Sequence, residues 1–101
     1  MDEVRSPKLV REIIDGIAYE YYPLGKYIVA APGVCGGRPT FKHTRLEVST
    51  ILALIAEGRS LDEVVAEYEA SRLTIDAVRE ALQLADEAFV DRAQAIYPIA
   101  M

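Results

Sequence analysis

The sequence contains one cysteine and one histidine, and both scarcities limit the chemistry it can perform. A single cysteine cannot form a disulfide within the chain, and it cannot build a zinc site by itself. A single imidazole leaves no Ser-His-Asp arrangement and no set of paired metal ligands. We therefore expect no enzyme activity, no metal and no cofactor, and we expect binding to other macromolecules to be the function.

Long apolar runs are also absent. No stretch approaches the roughly 18 apolar residues that a membrane span requires. Residues 1–5 are charged and no apolar segment follows them, so the chain does not start like a secretory signal. The apolar fraction of 51% and the charged fraction of 27% are typical of a globular domain. These features predict one cytoplasmic domain over residues 1–101 that has no membrane partner.

Charge is divided unevenly along the chain. Residues 1–45 carry a net charge of +2, whereas residues 46–101 carry −7. An acidic half repels phosphate backbones and favours basic partners. The second half is therefore expected to contact a basic protein surface more readily than DNA.

Residues 1–31 are predicted to form a helix and then a β-hairpin. Apolar residues at 9, 10, 13 and 14 have helical spacing over residues 7–14, and Gly16 is expected to end that helix. The β-prone runs 17–22 and 26–30 flank a Pro-Leu-Gly turn. The hairpin tyrosines Tyr19, Tyr21 and Tyr27 are expected to form a dimer face. A packed sheet face and a stacking surface for bases are the alternatives.

Residues 32–47 are predicted to be a Gly-rich loop with a basic segment. The residues expected to shape the loop are Pro32, Gly33, Gly36, Gly37 and Pro39. The loop does not open a helix, as a phosphate-binding loop would, and Cys35 has no general base except His43. The residues expected to contact nucleic acid or a partner protein are Arg38, Lys42, His43, Thr44 and Arg45. Whether they face DNA, protein or solvent stays open.

Residues 48–90 are predicted to form three short helices resembling a helix-turn-helix unit. Gly58 is expected to end the first helix, Ser60 and Glu63 have the spacing of a capping box, and Thr74 is a candidate cap for the last helix. That helix is expected to bury a stripe of Ile75, Val78, Leu82, Ala85 and Phe89, and its small residues Ala77, Ala81 and Ala88 are expected to let a neighbouring element approach closely. The tail, residues 91–101, is unusually apolar for a terminus, so Ile96, Tyr97 and Ile99 are expected to form a partner interface. The fold class is thus α+β, mostly α.

Several of these segments resemble a known family. The family named domain of unknown function 433 (DUF433) has a signature similar to Pro32-Gly33-Val34-Cys35-Gly36-Gly37-Arg38-Pro39-Thr40-Phe41, followed by Thr44-Arg45-Leu46-Glu47-Val48. The resemblance extends over about Tyr27 to Phe89. The family usually has glycine before Thr44, where this chain has His43.

The resemblance implies an antitoxin-like protein of the VapB kind with a homeodomain-like helix-turn-helix. Such a protein binds and inhibits a PIN-like ribonuclease toxin, and its complex with the toxin is a candidate to bind operator DNA. PIN-type nucleases hold divalent metal with clustered carboxylates, so a basic side chain can block the site. Arg38, Arg45 and Arg92 are candidates for that role, and the sequence does not choose among them.

A stand-alone homodimeric transcriptional regulator is the alternative. The homodimer is expected to form through the sheet edge or the tyrosine face. Residues 74–90, the expected recognition helix, carry a net charge of −3, which opposes contacts with phosphates. We therefore expect the isolated chain to bind DNA weakly, through Arg38, Lys42 and Arg45.

Overall fold

Four short strands and three helices follow one another along residues 8–96, the part of the chain that this computed structural model describes. The strands are β1 (Val10–Ile14), β2 (Ile17–Pro23), β3 (Ile28–Ala30) and β4 (Thr40–Phe41). The helices are α1 (Val48–Ala56), α2 (Leu61–Glu67) and α3 (Ile75–Ile96). The strands form one antiparallel sheet in the order β1-β2-β3-β4. The predicted α+β class is therefore confirmed.

The helix expected over residues 7–14 is wrong, because residues 10–14 form strand β1. Asp15 and Gly16, with φ of 51° and 80°, make a two-residue turn that places Ile14 opposite Ile17. Positive φ at both central residues is the geometry that matches the twist of two hairpin strands, and Asp-Gly favours it strongly. This turn signal outweighs the helical spacing of the apolar residues. Gly16 completes a hairpin turn and does not end a helix.

The hairpin predicted over residues 17–30 is present, with Tyr22 opposite Ala30. Its turn is closed by the backbone N–H groups of Leu24 and Gly25, which donate to the carbonyl oxygen of Ile28 at 2.8 and 3.0 Å. β4 then pairs with the other edge of β3. β1 and β4 are consequently the two edge strands of one sheet.

The Gly-rich loop expected over residues 32–47 is not supported as an open loop. A 3₁₀ turn (Cys35–Gly37) and the short strand β4 interrupt it. The backbone N–H of Val34 donates to the carbonyl oxygen of Ala31, and that of Gly37 donates to Val34, both at 2.9 Å. Gly36 and Gly37 adopt φ of 65° and 85°, which glycine tolerates without steric cost. The glycines therefore tighten the chain into consecutive turns.

The helix boundaries follow the caps that the sequence predicts. The N–H groups of Gly58 and Arg59 donate back to the carbonyl oxygens of Ile55 and Leu54, which closes α1 with a Schellman motif. Ser60 and Glu63 form the reciprocal capping box that begins α2. The hydroxyl oxygen of Thr74 accepts from the N–H of Ala77 at the start of α3. These contacts fix the short connections between the helices.

The three helices pack on one another and, through α3, on β3. The main core contains Ile28, Phe41, Val48, Ile51, Val64, Leu73, Ala77, Val78 and Ala81. A smaller cluster of Tyr21, Val29 and Ala31 lies under the hairpins. Each fully buried aliphatic side chain contributes about 1.5–3 kcal/mol of hydrophobic free energy. The core thus lies between the helices and the β3–β4 end of the sheet, and the first hairpin extends beyond it.

Helix α3 does not bury the stripe that its sequence predicts. Val78 is fully buried as expected, but Leu82 and Phe89 are exposed, and small alanines at positions 77 and 81 face the core. Small side chains let the helix approach its neighbours closely, so the contact face turns toward them and leaves the large apolar residues outside. Within the described residues, none of the helices is both long and apolar enough to cross a lipid bilayer.

Thr40 on β4 contains a buried polar atom that lacks a hydrogen-bond partner, its hydroxyl oxygen. Leaving a buried hydroxyl unsatisfied costs about 1–3 kcal/mol. We expect Thr40→Val, which keeps the shape, to raise the free energy of unfolding by about 1 kcal/mol. Urea unfolding followed by circular dichroism measures this difference. Thr50→Val on the exposed face of α1 is the control, and a less stable Thr40→Val protein would contradict the expectation.

Candidate functional site

The basic segment 42–45 is held in a tight turn directly after β4. The backbone N–H and the hydroxyl of Thr44 both donate to the carbonyl oxygen of Phe41, at 3.1 and 2.7 Å. The Thr44 hydroxyl oxygen in turn accepts from the backbone N–H of Leu46 at 3.0 Å. The Thr44 side chain therefore shapes the turn and presents the charged residues beside it.

His43 occupies the third position of this turn with a φ of 66°. A left-handed backbone at a non-glycine residue costs about 1–2 kcal/mol. Two contacts with Tyr19 offset the cost here. The backbone N–H of His43 donates to the Tyr19 hydroxyl at 3.0 Å, and the two rings lie 5.2 Å apart.

The carboxylate of Glu12 on β1 attaches the first hairpin to the basic segment. The Tyr21 hydroxyl donates to it at 2.5 Å and the His43 Nε2–H donates to it at 2.8 Å. The Lys42 Nζ lies 3.7 Å from the same carboxylate and 5.1 Å from the centre of the Tyr21 ring. Lys42 and His43 are thus directed toward Glu12.

These contacts give the hairpin attachment a defined pH dependence. Hydrogen bonds from Tyr21, and next from His43, lower the pKa of Glu12 below its ordinary value. A lowered folded-state pKa means that the attachment stabilises the fold above the carboxyl's ordinary pKa and is lost as the pH falls through the lower, folded-state value.

We expect Glu12→Gln to lower the stability of the chain at pH 6 and to reduce the loss of stability between pH 6 and pH 3. Urea unfolding at both pH values measures the two differences. Glu20→Gln on β2 is the matched control, since its exposed carboxylate pairs only loosely with Arg11 at 3.8 Å. Equal pH dependence in the Glu12 variant and the unmodified chain would contradict the assignment.

Arg38, an expected contact residue, is engaged within the chain. Its Nε–H and an Nη–H donate to the two carboxylate oxygens of Glu47, each at 2.9 Å. This bidentate pair holds the pKa of Glu47 below its usual value. Arg38 therefore ties the 3₁₀ turn to the start of α1, and it does not line the same groove as Lys42 and Arg45.

Two open grooves lie on either side of segment 43–45, which lines both. The first, of about 700 Å³, runs between this segment, residues 26–27 and the residues leading into α3. The second, of about 970 Å³, lies against the first hairpin, which contributes Glu12, Asp15 and Glu20. The basic residues and the histidine that line the first groove are Lys26, Lys42, His43, Arg45 and Arg72, and no aspartate or glutamate among residues 8–96 lines it. We call this first groove the basic groove.

Sequence reasoning missed Lys26 and Arg72. Each lies far along the chain from segment 42–45, and no spacing rule connects them with it. The basic groove forms because α3 is held against the β2–β3 turn. The Glu80 carboxylate accepts the backbone N–H groups of Lys26 and Tyr27 at 2.8 and 2.7 Å. A single acidic residue on the helix thus positions one basic wall of the groove.

The second half of α3 forms a separate surface. Every residue from Asp86 to Ala95 is exposed, including Phe89 at 73% and Val90 at 49%. Asp86, Glu87, Asp91 and Arg92 lie in the same half. This helical half, residues 86–95, therefore projects from the fold with an apolar and acidic surface. We call it the projecting half of α3.

The remaining candidate residues fall in different places. Tyr21 is 3% exposed within the single chain, and Tyr19 and Tyr27 are half-buried. The rings of Tyr19 and Tyr21 lie 5.0 Å apart on the sheet, and the dimer face expected from Tyr19, Tyr21 and Tyr27 stays a prediction. The backbone of Ile96 ends α3, but its side chain and the residues Tyr97 and Ile99 lie outside the described part of the chain.

The geometry brings together part of the expected site. Lys42, His43, Thr44 and Arg45 share one wall of the basic groove, whereas Arg38 does not join them. Within residues 8–96, no group of three or more histidine, cysteine, aspartate or glutamate side chains is placed to hold a metal ion.

Comparison with known proteins gives one match. No curated protein and no solved structure matches the chain. Residues 28–85 match the family described as "Protein of unknown function (DUF433)". The matched range begins at β3, includes the whole basic segment and the packed part of the three helices, and ends just before the projecting half of α3. The chain therefore belongs to the DUF433 family.

Proposed function

We propose that this protein is a non-enzymatic antitoxin that binds and inhibits a PIN-like ribonuclease. The observation that carries the proposal is the projecting half of α3, where Phe89 is 73% exposed. An amphipathic helix that lays apolar residues into a groove of another protein is a common recognition mode, and buried aromatic anchors supply most of its binding energy.

Charge supports a nuclease as the partner. The projecting half carries Asp86, Glu87 and Asp91 against Arg92. A ribonuclease must attract phosphates, so the surface beside its active site is expected to be basic. Acidic residues around an apolar anchor complement such a surface and keep RNA away from it.

Among the candidate blocking residues, Arg92 fits best. It is exposed in the projecting half, one helical turn from Phe89. Arg38 is paired with Glu47, and Arg45 lines the two grooves beside segment 43–45, to which the projecting half contributes no residue. We propose that Arg92 reaches the metal-binding carboxylates of the nuclease while Phe89 anchors the helix.

The stand-alone regulator is the second candidate, and two observations favour it. The connection between α2 and α3 is short, and the basic groove lies beside the start of α3. β1 is also an edge strand of the sheet, with Ile13 64% exposed beside the β1–β2 turn. An uncovered edge strand can pair with the same strand of a second copy of the chain and form a homodimer.

Affinity purification of the tagged full chain from its host, followed by mass spectrometry and a ribonuclease assay, tests the choice. We expect a PIN-like nuclease at one-to-one stoichiometry whose activity is inhibited in the complex and returns when the complex is dissociated. A homodimer that carries no nuclease would refute the antitoxin proposal and leave the regulator.

A further inference from the structure

We infer that the basic groove binds the phosphate backbone of duplex DNA through Lys26, Arg45 and Arg72. This inference goes beyond the proposed function, because it concerns the opposite end of α3 from the projecting half and needs no nuclease. It also changes the expected contact set. Arg38 pairs with Glu47 and Lys42 with Glu12, so the proposed DNA contacts contain Lys26 and Arg72 in their place.

The first support is that three basic side chains of the groove form no salt bridge within the described residues. Lys26, Arg45 and Arg72 are all exposed, and none forms a salt bridge with another residue in 8–96. Glu80, which contacts the Lys26 backbone, already accepts two backbone N–H groups with its carboxylate. Three permanent cations with no opposing carboxylate in the groove make a local positive field.

The start of α3 adds to that field. Thr74 and Ala77 line the groove, so the helix begins at its wall. The N-terminal end of a helix dipole carries about half a positive charge and favours a phosphate. The dipole acts in the same sense as the three side chains that line the groove, and Asp76 in the first turn of α3 offsets part of it.

The net charge of −5 on the whole chain does not oppose binding at this place. The acidic residues of the projecting half begin at Asp86, eleven positions beyond Ile75, or about 16 Å along the helix. The Debye length is about 10 Å at 0.1 M salt, so water and ions screen those charges from the groove. Asp76 and Glu80 lie closer, in the first two turns of α3, but neither lines the groove, and the Glu80 carboxylate is engaged by two backbone N–H groups.

Arg72 provides a further sign of function. It adopts a φ of 58° at the end of the 3₁₀ turn (Glu69–Ser71), a conformation that favours glycine. The Arg72 side chain is exposed, so packing of that side chain in the core does not offset the conformational cost. An arginine kept at a strained and exposed position is expected to serve a ligand.

Duplex DNA fits the groove better than single-stranded RNA. Single strands are bound mainly by stacking bases on exposed aromatic rings. The aromatic residues in the groove are Phe41, which is buried, and Tyr27, which is half-buried under the Lys26 side chain at 5.2 Å. A groove with cations and little open aromatic surface suits phosphates that a duplex holds in place.

Fluorescence anisotropy with a labelled 20-base-pair duplex of arbitrary sequence, titrated with the full chain at 50 to 200 mM NaCl, tests the inference. We expect a Kd on the order of 1–100 μM at the lowest salt and a log–log salt slope of about −2.7 for three phosphate contacts. Lys26→Gln, Arg45→Gln and Arg72→Gly are each expected to weaken binding about 3- to 10-fold and to reduce the slope by about 1.

Two comparisons make the test decisive. Arg72→Gly relieves the strained backbone, so it should bind DNA less tightly while unfolding at an equal or higher urea concentration. Arg11→Gln removes one positive charge from β1, outside the groove, and should leave affinity unchanged. Absence of binding at 50 mM NaCl, or an equal loss in the Arg11 variant, would overturn the inference. Tighter binding of a 20-nucleotide single-stranded RNA by the same residues would overturn the assignment to DNA.

Discussion

Replacing Phe89 with aspartate is expected to abolish inhibition of the partner nuclease while leaving the chain as stable as before. Phe89 is 73% exposed, so it contributes little to the core. If the projecting half of α3 enters a groove on the nuclease, Phe89 becomes the largest apolar group buried there. Truncating such an anchor costs about 2–4 kcal/mol, which weakens binding roughly 30- to 1,000-fold.

The measurement is isothermal titration of the nuclease with each variant, beside urea unfolding of the chain alone. Gln94→Asp is the matched control, because it adds the same charge to the projecting half. Its position is five residues from Phe89, about 140° around the helix. It should retain inhibition. Full inhibition by Phe89→Asp would refute the role of this surface, and a loss of stability in that variant would show that Phe89 serves the fold.

Replacing Glu80 with alanine is expected to destabilise the chain by about 3 kcal/mol. The Glu80 carboxylate is the acceptor for two backbone N–H groups of the β2–β3 turn, and hydrogen bonds to a charged group contribute about 1.5–3 kcal/mol each. A domain of this size has a total stability of about 5–15 kcal/mol. We therefore expect the melting temperature to fall by more than about 10 °C, as measured by circular dichroism.

Glu87→Ala, two turns further along α3, removes an exposed carboxylate whose only hydrogen-bond contact in the described chain is with Gln83, at 3.2 Å. It should change stability by less than about 0.5 kcal/mol. Gly25 gives a second check, because a Cβ there would lie 2.6 Å from the Glu80 carboxyl group. Gly25→Ala should be destabilising alone but milder in the Glu80→Ala background. Equal stabilities for the Glu80 and Glu87 variants would contradict this account of the turn.

The elements that the sequence predicts best are those with a local signal. The capping box at Ser60, the cap at Thr74 and the Gly58 stop each depend on residues within a few positions of one another. The N-terminal segment was assigned the wrong structure because two local signals compete there. Its apolar spacing suits a helix, whereas the Asp15-Gly16 turn suits a hairpin, and pairing with β2 decides between them.

The candidate site was predictable only in part. Residues 42–45 are contiguous and basic, so the sequence identifies them directly. The engagement of Arg38 by Glu47, and the arrival of Lys26 and Arg72 beside Arg45, depend on how the strands and α3 pack. The exposure of Phe89 is also a tertiary property, because its helical stripe matches that of a buried helix. The spacing of residues along the chain therefore does not predict these contacts.

The continuity of α3 has a geometric consequence. The helix is 22 residues long, about 33 Å, and it joins the basic groove at one end to the projecting half at the other. A ligand at the basic groove and a partner at Phe89, fourteen residues beyond Ile75, would keep a fixed separation of about 21 Å and a fixed rotational phase. One residue inserted after Asp86 would swing the distal surface by about 100°, while seven would restore its direction to within about 20°. The helix would then act as a spacer whose register determines which side of the duplex the bound protein faces.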